Sequence, residues 1–367
     1  MLWLFALSCL SEPCDKPLTS NSSLIDVFIR MEKERCVHAV DISTMRRRMS
    51  EYHRQTTLHC DNVFRRTSMD GKNFDGQEEL ILKGASVADV WIEPDGKHII
   101  VYNDTKTDLL AQTAEIDLEQ FWKMGLVGFG GLGIAIDKMN GGPVESFQTD
   151  LHLPAPMEVV DPDIGRTIDG DWRLVWFGVT PTQMNKESFG PLTSPKPHRF
   201  YRAVSPNLTE FNPPKVIVQS KEGTTGGADP AMLTREDGSE VLYVGPLDFT
   251  TMAWESVDGE NWNALGAPDF NTRLRFATPD AVIDPEGGYR LYGMLNGTPG
   301  EFQMAQSQDG ERFTKPKTVL KVTGGFNISV GVDPVGTWWV YYNKTDEACM
   351  RRWGSSKAHP EMKPMLR

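Results

Sequence analysis

Five segments of the 367-residue chain carry an acid or a hydroxyl at matching places. They are Asp89 in "ADVWIEPDGKHIIVYND", Asp163 in "PDIGRTIDGDWRLVWFG", Asp229 in "ADPAMLTREDGSEVLYVG", Asp280 in "PDAVIDPEGGYRLYGML" and Ser329 in "ISVGVDPVGTWWVYYNK". Asp89 precedes Asp95 by six positions, as Asp163 precedes Asp169, and the pair Asp280 and Gly287 repeats the separation of Asp89 and Gly96. If folding gathers these places, four carboxylates converge. They cannot all be ionised in a confined space, so at least one holds its proton unless a cation or water relieves the repulsion. A protonated acid beside an ionised one is what general acid–base chemistry requires. Converging carboxylate oxygens also suit a calcium ion. An aspartate at a strand start can instead cap a turn or accept a main-chain N–H.

The elements that must position these residues are legible. Each segment is a short apolar stretch, a glycine-containing turn and a strand rich in Val, Leu, Tyr and Trp, which is a β-hairpin written five times. A second phrase recurs as "SMDGKNF" (68–74), "SVDGENW" (256–262) and "SQDGERF" (307–313), with a degenerate copy "SPNLTEF" (205–211). Asp-Gly tolerates positive φ, the Ser and Asp side chains bond nearby backbone, and the aromatic returns to the core. Hairpin, third strand and turn make one unit, and successive units start 74, 66, 51 and 49 residues apart, from Asp89 to Ser329. Four strands per unit at a period near fifty predict an all-β, five-bladed β-propeller. The first turn phrase precedes the first hairpin and none follows the fifth. Circular closure explains this, with 62–75 supplying an outer strand to the blade whose inner strands come from 326–344. The early residues of the innermost strands then face one mouth of the axial channel.

Composition bounds the rest. A net charge of −12 argues against a general nucleic-acid binder, and 39% hydrophobic residues suffice for a large core. The start, "MLWLFALSCLSEPC", has a short apolar core and no basic n-region. It looks like a bacterial lipoprotein signal over 1–14 with Cys9 as the lipidated residue, the alternatives being a truncated signal peptide or a plain N-terminal tail. That predicts a protein secreted or membrane-anchored outside the cytoplasm. Residues 15–61 read as a small helical N-terminal extension, 62–350 as the propeller closed by its N-terminal strand, and 351–367 as a tail. A monomer is expected. Cys14, Cys36, Cys60 and Cys349 permit three pairings, and the absence of a CxxC pair leaves little support for a zinc or thiol redox site. The glycine-rich stretch 125–147 lacks the context of a nucleotide site. Six Asn-x-Ser/Thr sequons occur, at Asn21, Asn103, Asn207, Asn296, Asn327 and Asn343; they matter only in a glycosylating host, and in an Asn-rich turn protein such triplets also arise by chance.

Over roughly residues 62–345 the hairpins and turn phrases resemble the five-bladed-propeller glycoside hydrolases of the arabinanase/xylosidase and invertase/levansucrase clans. The turn phrases also resemble the Asp-boxes of sialidases, which usually have six blades. The resemblance implies an inverting glycosidase acting on a carbohydrate. Its blade-one aspartate, the general base, falls on Asp89. Its blade-two aspartate, which tunes and orients the acid, falls on Asp163, with Asp161 as the rival. Its general acid is a blade-three glutamate, and here the chain departs. "KEGTTGGADPAML" puts Asp229 in the register and Glu222 seven residues earlier. Aspartate is one methylene shorter, and misplacing an acid by about an ångström costs on the order of 10² in rate. Glu222 or Asp229 serves, or the acid is missing and the protein is a non-catalytic propeller that binds glycan or a protein partner. Trp91 is a candidate stacking platform, beside Trp172, Trp176, Phe200 and Tyr243, against the competing role of inter-blade packing. Asp280 completes the pocket, with no metal required there, although a calcium ion at the axis is compatible. Arg166 and Arg273 are candidates to bind a carboxylated or hydroxyl-rich ligand, or to form salt bridges at the blade mouth.

Overall fold

The structure is a computed structural model that describes residues 60–104, 131–153, 158–179, 199–219, 227–246, 251–266, 269–270, 276–295 and 300–349. The leader with Cys9, the extension up to residue 59, Glu222, Arg273 and the tail lie outside the described residues.

Five sheets surround one axis. Strands β1 (Asp61–Ser68) and β2 (Glu79–Lys83) open the chain. Blade one is β3 (Ala85–Ile92), β4 (His98–Asp104), β5 (Gly131–Asp137) and β6 (Glu145–Gln148). Blade two is β7 (Glu158–Arg166), β8 (Trp172–Val179), β9 (Arg199–Ser205) and β10 (Lys215–Gln219). Blade three is β11 (Gly227–Thr234), β12 (Glu240–Pro246), β13 (Met252–Ser256) and β14 (Asn263–Gly266). Blade four holds β15 (Asp269–Phe270), β16 (Phe276–Ile283), β17 (Tyr289–Leu295), β18 (Glu301–Ser307), β19 (Arg312–Phe313) and β20 (Lys317–Lys321). Blade five pairs β21 (Gly325–Val332) and β22 (Trp338–Thr345) with β1 and β2 from the start of the chain.

The five inner hairpins use one turn. In blade one the Glu93 N–H donates to Lys97 O and the Gly96 N–H to Glu93 O, and the pattern repeats at Thr167, Arg235, Asp284 and Asp333. The glycine three residues on sits at φ 83–100° in all five, the left-handed position that closes such a hairpin. Each inner strand also carries one extra residue, opposite β4, β8, β12, β17 and β22. The bulged residues are Val87, Asp161, Asp229, Thr278 and Asn327, all at φ 44–52°. Non-glycine residues there cost about 1–3 kcal/mol each, and bulges recur where a strand must re-aim side chains.

The turn phrases hold blades together. Ser68 Oγ donates to Asp70 Oδ1 (3.0 Å), which accepts the Lys72 and Asn73 N–H groups (2.8 and 3.2 Å). The copies at Ser256 and Ser307 repeat this. Tyr243 of blade three donates its hydroxyl to Gly310 O (2.7 Å), and Tyr292 of blade four to Gly71 O (2.9 Å). The phrases at Ser307 and Ser68 are thus sockets for a tyrosine of the preceding blade. Five apolar clusters fill the five seams between blades. Trp172, Trp176, Phe200 and Tyr243 lie buried in them, so these four rings are packing rather than stacking platforms.

At the closing seam, β1 pairs β22 over its whole length, from Asp61 opposite Thr345 to Ser68 opposite Trp338. A Cys60–Cys349 disulfide, 289 residues apart in sequence, fastens the two ends. Among the described residues no helix is long and apolar enough to cross a membrane.

Candidate functional site

The bulge divides the start of the inner strands into two layers. Below it lies a ring of Asp89, Asp163, Ala231, Asp280 and Ser329, each facing the second strand of its own blade at the matching pair: Val101, Val175, Tyr243, Tyr292 and Tyr341. In the bulge layer stand Val87, Asp161, Asp229, Thr278 and Asn327. The structure therefore corrects the register read from the sequence. Asp229 matches Asp161 and not Asp163, and Ala231 takes the blade-three place in the ring.

The ring is a clasp. Asp89 Oδ2 accepts the Ile164 N–H of blade two (2.7 Å), and Asp163 Oδ2 the Met232 N–H of blade three (2.9 Å). Asp280 Oδ2 accepts the Val330 N–H of blade five (2.5 Å), and Ser329 Oγ the Val90 N–H of blade one (2.9 Å). Each of these four side chains binds the amide that follows the ring position of the next blade, and Ala231 leaves the one gap. Burial raises the affinity of Asp89, Asp163 and Asp280 for a proton. The charge of Asp89 pushes Asp163 and Asp280 further in the same direction, while Arg173, 3.5 Å from Asp163, opposes it there.

Oxygens of Asp89, Asp163 and Asp280 lie within 4.8 Å of one another. Calcium takes six to eight oxygens. Each of the three acids accepts a main-chain hydrogen on one oxygen, and the mostly aliphatic walls beside them offer few further oxygens toward that number. A cavity of about 210 Å³ opens from the ring toward the hairpin turns, lined by the three acids, Trp91, Thr234 and mostly aliphatic residues such as Ile92, Leu233 and Val332. It brings Asp89, Asp163, Asp280 and Trp91 together, but few polar groups line it. Arg166 is not among them. Its guanidinium pairs with Glu93, donates to Gly170 O (2.6 Å) and lies 3.4 Å from the Trp172 ring centroid.

The bulge layer faces the other mouth, where the inner strands begin. There the Asp229 N–H donates to Asp161 Oδ2 (3.3 Å) across the seam of blades two and three. Both acids are half-buried. Burial raises the pKa of each, and the Asp161 charge raises Asp229 further. No arginine or lysine pairs with either among the described residues. A pocket of about 20 Å³, roughly one water in size, touches Asp161, Asp229 and Asn327. Thr278 Oγ1, in the same layer, is buried without a hydrogen-bond partner. Sequence reasoning had Asp161 only as a rival. The signal that separates the layers is the distance to the hairpin glycine: seven residues for Asp89, Asp163, Asp280 and Ser329, but nine from Asp229 to Gly238 and from Asp161 to Gly170.

No protein-family model matches the chain, and no curated protein matches it. Solved structures do. One is an N-acetylgalactosamine deacetylase from F. plautii in complex with blood group B trisaccharide, at TM-score 0.50 and 10% identity over 79% of this chain and 97% of that one. Another is an exo-β-1,3-galactanase from Clostridium thermocellum, at 0.48 and 13% over 75% of this chain and 57% of that one. A third is a Penicillium chrysogenum α-L-arabinanase complexed with arabinobiose, at 0.45 and 12% over 67% and 71%. At these identities the likeness is one of fold: the chain is a five-bladed β-propeller whose structural neighbours include glycoside hydrolases.

Proposed function

We propose that this propeller is carbohydrate-active, and that it binds and hydrolyses a glycan at the mouth where its inner strands begin. The observation that carries the reading is the contact between Asp161 and Asp229 (3.3 Å from Asp229 N to Asp161 Oδ2), two half-buried acids that no described cation neutralises. Burial raises the proton affinity of both acids, and the charge of Asp161 further opposes ionisation of Asp229. Asp229, pushed up by burial and by its neighbour, is the proton donor to a glycosidic oxygen. Asp161 is the partner that raises the proton affinity of Asp229. Asp89 and Asp163, each fastened to an amide of the next blade, are assigned to the architecture. The Cys60–Cys349 disulfide supports a location outside the cytoplasm, where such bonds persist.

One observation favours a second reading, glycan binding without hydrolysis. Val87 occupies the blade-one place of the bulge layer, so blade one offers no carboxylate there. The deciding experiment is a panel of polysaccharides and aryl glycosides, read for hydrolysis and by calorimetry, with Asp161→Asn and Asp229→Asn beside the native chain. Turnover lost in both variants supports the hydrolase. Binding without turnover supports the second reading, and silence in both assays overturns both.

A further inference from the structure

Four of the six sequons fall on described residues, and three of them spend their side-chain nitrogen inside the fold. Asn343 is fully buried in β22; its Nδ2 donates to Ala85 O (2.8 Å) and Asn62 O (3.3 Å), and its Oδ1 accepts the Ala88 N–H (3.0 Å). Asn103 holds the same register one blade on, opposite Ser86 as Asn343 is opposite Phe326. It is buried too, and its Nδ2 donates to Val159 O (2.6 Å). Its Oδ1 has no partner, because the residue matching Ala88 is Pro162, which has no N–H. Asn327 Nδ2 donates to Ala88 O (2.8 Å).

Asn207 differs. It is exposed, at the tip of the turn that follows β9. Its Oδ1 accepts the Thr209 N–H (2.9 Å), the Thr209 hydroxyl (2.6 Å) and the Glu210 N–H (3.1 Å). Its Nδ2 has no hydrogen bond among the described residues. This turn is the degenerate fourth phrase, and Asn207 stands where the others have Asp70, Asp258 and Asp309. In two of those the second carboxylate oxygen is occupied, by Asn261 Nδ2 at Asp258 (2.8 Å) and by Arg312 at Asp309 (2.8 Å). The exchange of Asp for Asn keeps the acceptor oxygen that shapes the turn and sets a free amide nitrogen in place of the other. Thr209 completes the Asn-x-Thr triplet.

We propose that Asn207 is an N-glycosylation site, accepting an oligosaccharide carried on a lipid diphosphate. Nδ2 gives up one proton and bonds to the anomeric carbon. The bond from that carbon to the diphosphate oxygen breaks, and the lipid diphosphate leaves with the electron pair. The product keeps Oδ1 as an acceptor, so the turn survives. The same reaction at Asn103, Asn327 or Asn343 would take hydrogens committed to main-chain carbonyls and drive a glycan between blades. Because β7, β8 and β9 alternate in direction, the turn after β9 lies at the end where β7 finishes. A glycan there leaves the mouth with Asp161 and Asp229 clear.

The test routes the full chain through the secretory pathway of a eukaryotic cell. Peptide N-glycosidase in heavy-oxygen water then marks each occupied asparagine of the folded product as labelled aspartate. The mark is expected at Asn207 and absent from Asn103, Asn327 and Asn343. Asn207→Asp restores the residue of the other three turns, so it should fold with an unchanged melting temperature and lose the mark. Where secretion is poor, the same peptide map is made on chain translated into microsomes. An unmarked Asn207 in the native chain, or a mark on Asn103 or Asn343 in folded protein, overturns the proposal.

Discussion

Ser329 Oγ donates to Asp89 Oδ1 at 2.6 Å and accepts the Val90 N–H at 2.9 Å, so the last inner strand is fastened to the first beside the axis. With Ile164 on its other oxygen, Asp89 joins blades five, one and two. Asp89→Ala leaves the Ile164 N–H and the Ser329 hydroxyl buried without acceptors, at about 1–3 kcal/mol each. Urea unfolding should show a loss of roughly 2–5 kcal/mol. Glycan binding by the folded fraction should stay near native; its abolition at full stability would return Asp89 to the binding site.

The ring has one gap, at Ala231, and the chain's spacing shows why sequence reasoning filled it wrongly. The Asp-Pro pair in "GADPAML" imitates the strand-start aspartates of the other blades although it lies two residues before the ring position. The hairpin glycine is the better ruler, because all five turns share one geometry and fix the count from the turn back to the ring. The blades, their number and the turn phrases follow from period and turn chemistry, which are local; the tyrosines that the turns at Ser307 and Ser68 receive come from the neighbouring blade. The bulge does not, since Val87 and Thr278 are β-branched residues at positive φ, places that propensity disfavours. The layer that holds Asp161 and Asp229 is created by tertiary structure. Nor does the Cys60–Cys349 pairing follow, because it depends on closure of the circle.

The same disulfide predicts how the circle opens. Cross-linking residues 289 apart removes chain entropy from the unfolded state worth on the order of 5 kcal/mol. Cys349→Ser should lower stability by roughly 2–5 kcal/mol. Hydrogen exchange should rise first along β1, whose pairing with β22 the disulfide fastens. Equal melting with and without reductant would contradict this.

Stability should fall as pH rises from about 4 toward 8. Burial raises the pKa of Asp61 to about 6, and raises those of Asp89, Asp161, Asp163, Asp229 and Asp280. For an acid raised in the folded state, the native protein binds more protons than the unfolded chain between the two pKa values. Its stabilisation is complete below the unfolded pKa and is lost through the folded one. His98, pushed down to about 4 chiefly by burial, acts oppositely between about 4 and 6.5, but it is one group against six. Thermal unfolding should therefore give a higher melting temperature at pH 5 than at pH 8, and the reverse order would refute the buried protons.

The effect of the Asp161 charge on Asp229 gives turnover its own pH signature. If Asp229 is the donor, the rate falls on the alkaline side as Asp229 loses its proton, and on the acid side as Asp161 gains one. Asp161→Asn removes the negative neighbour that burial alone cannot replace, so Asp229 releases its proton more easily. The alkaline limb should move to lower pH and the acid limb should disappear, with maximal rate down about 10²–10⁴-fold where Asp161 also serves the water. A smaller loss with the same shift would confine Asp161 to tuning its neighbour. An unmoved alkaline limb would show that the titrating donor is some group other than Asp229.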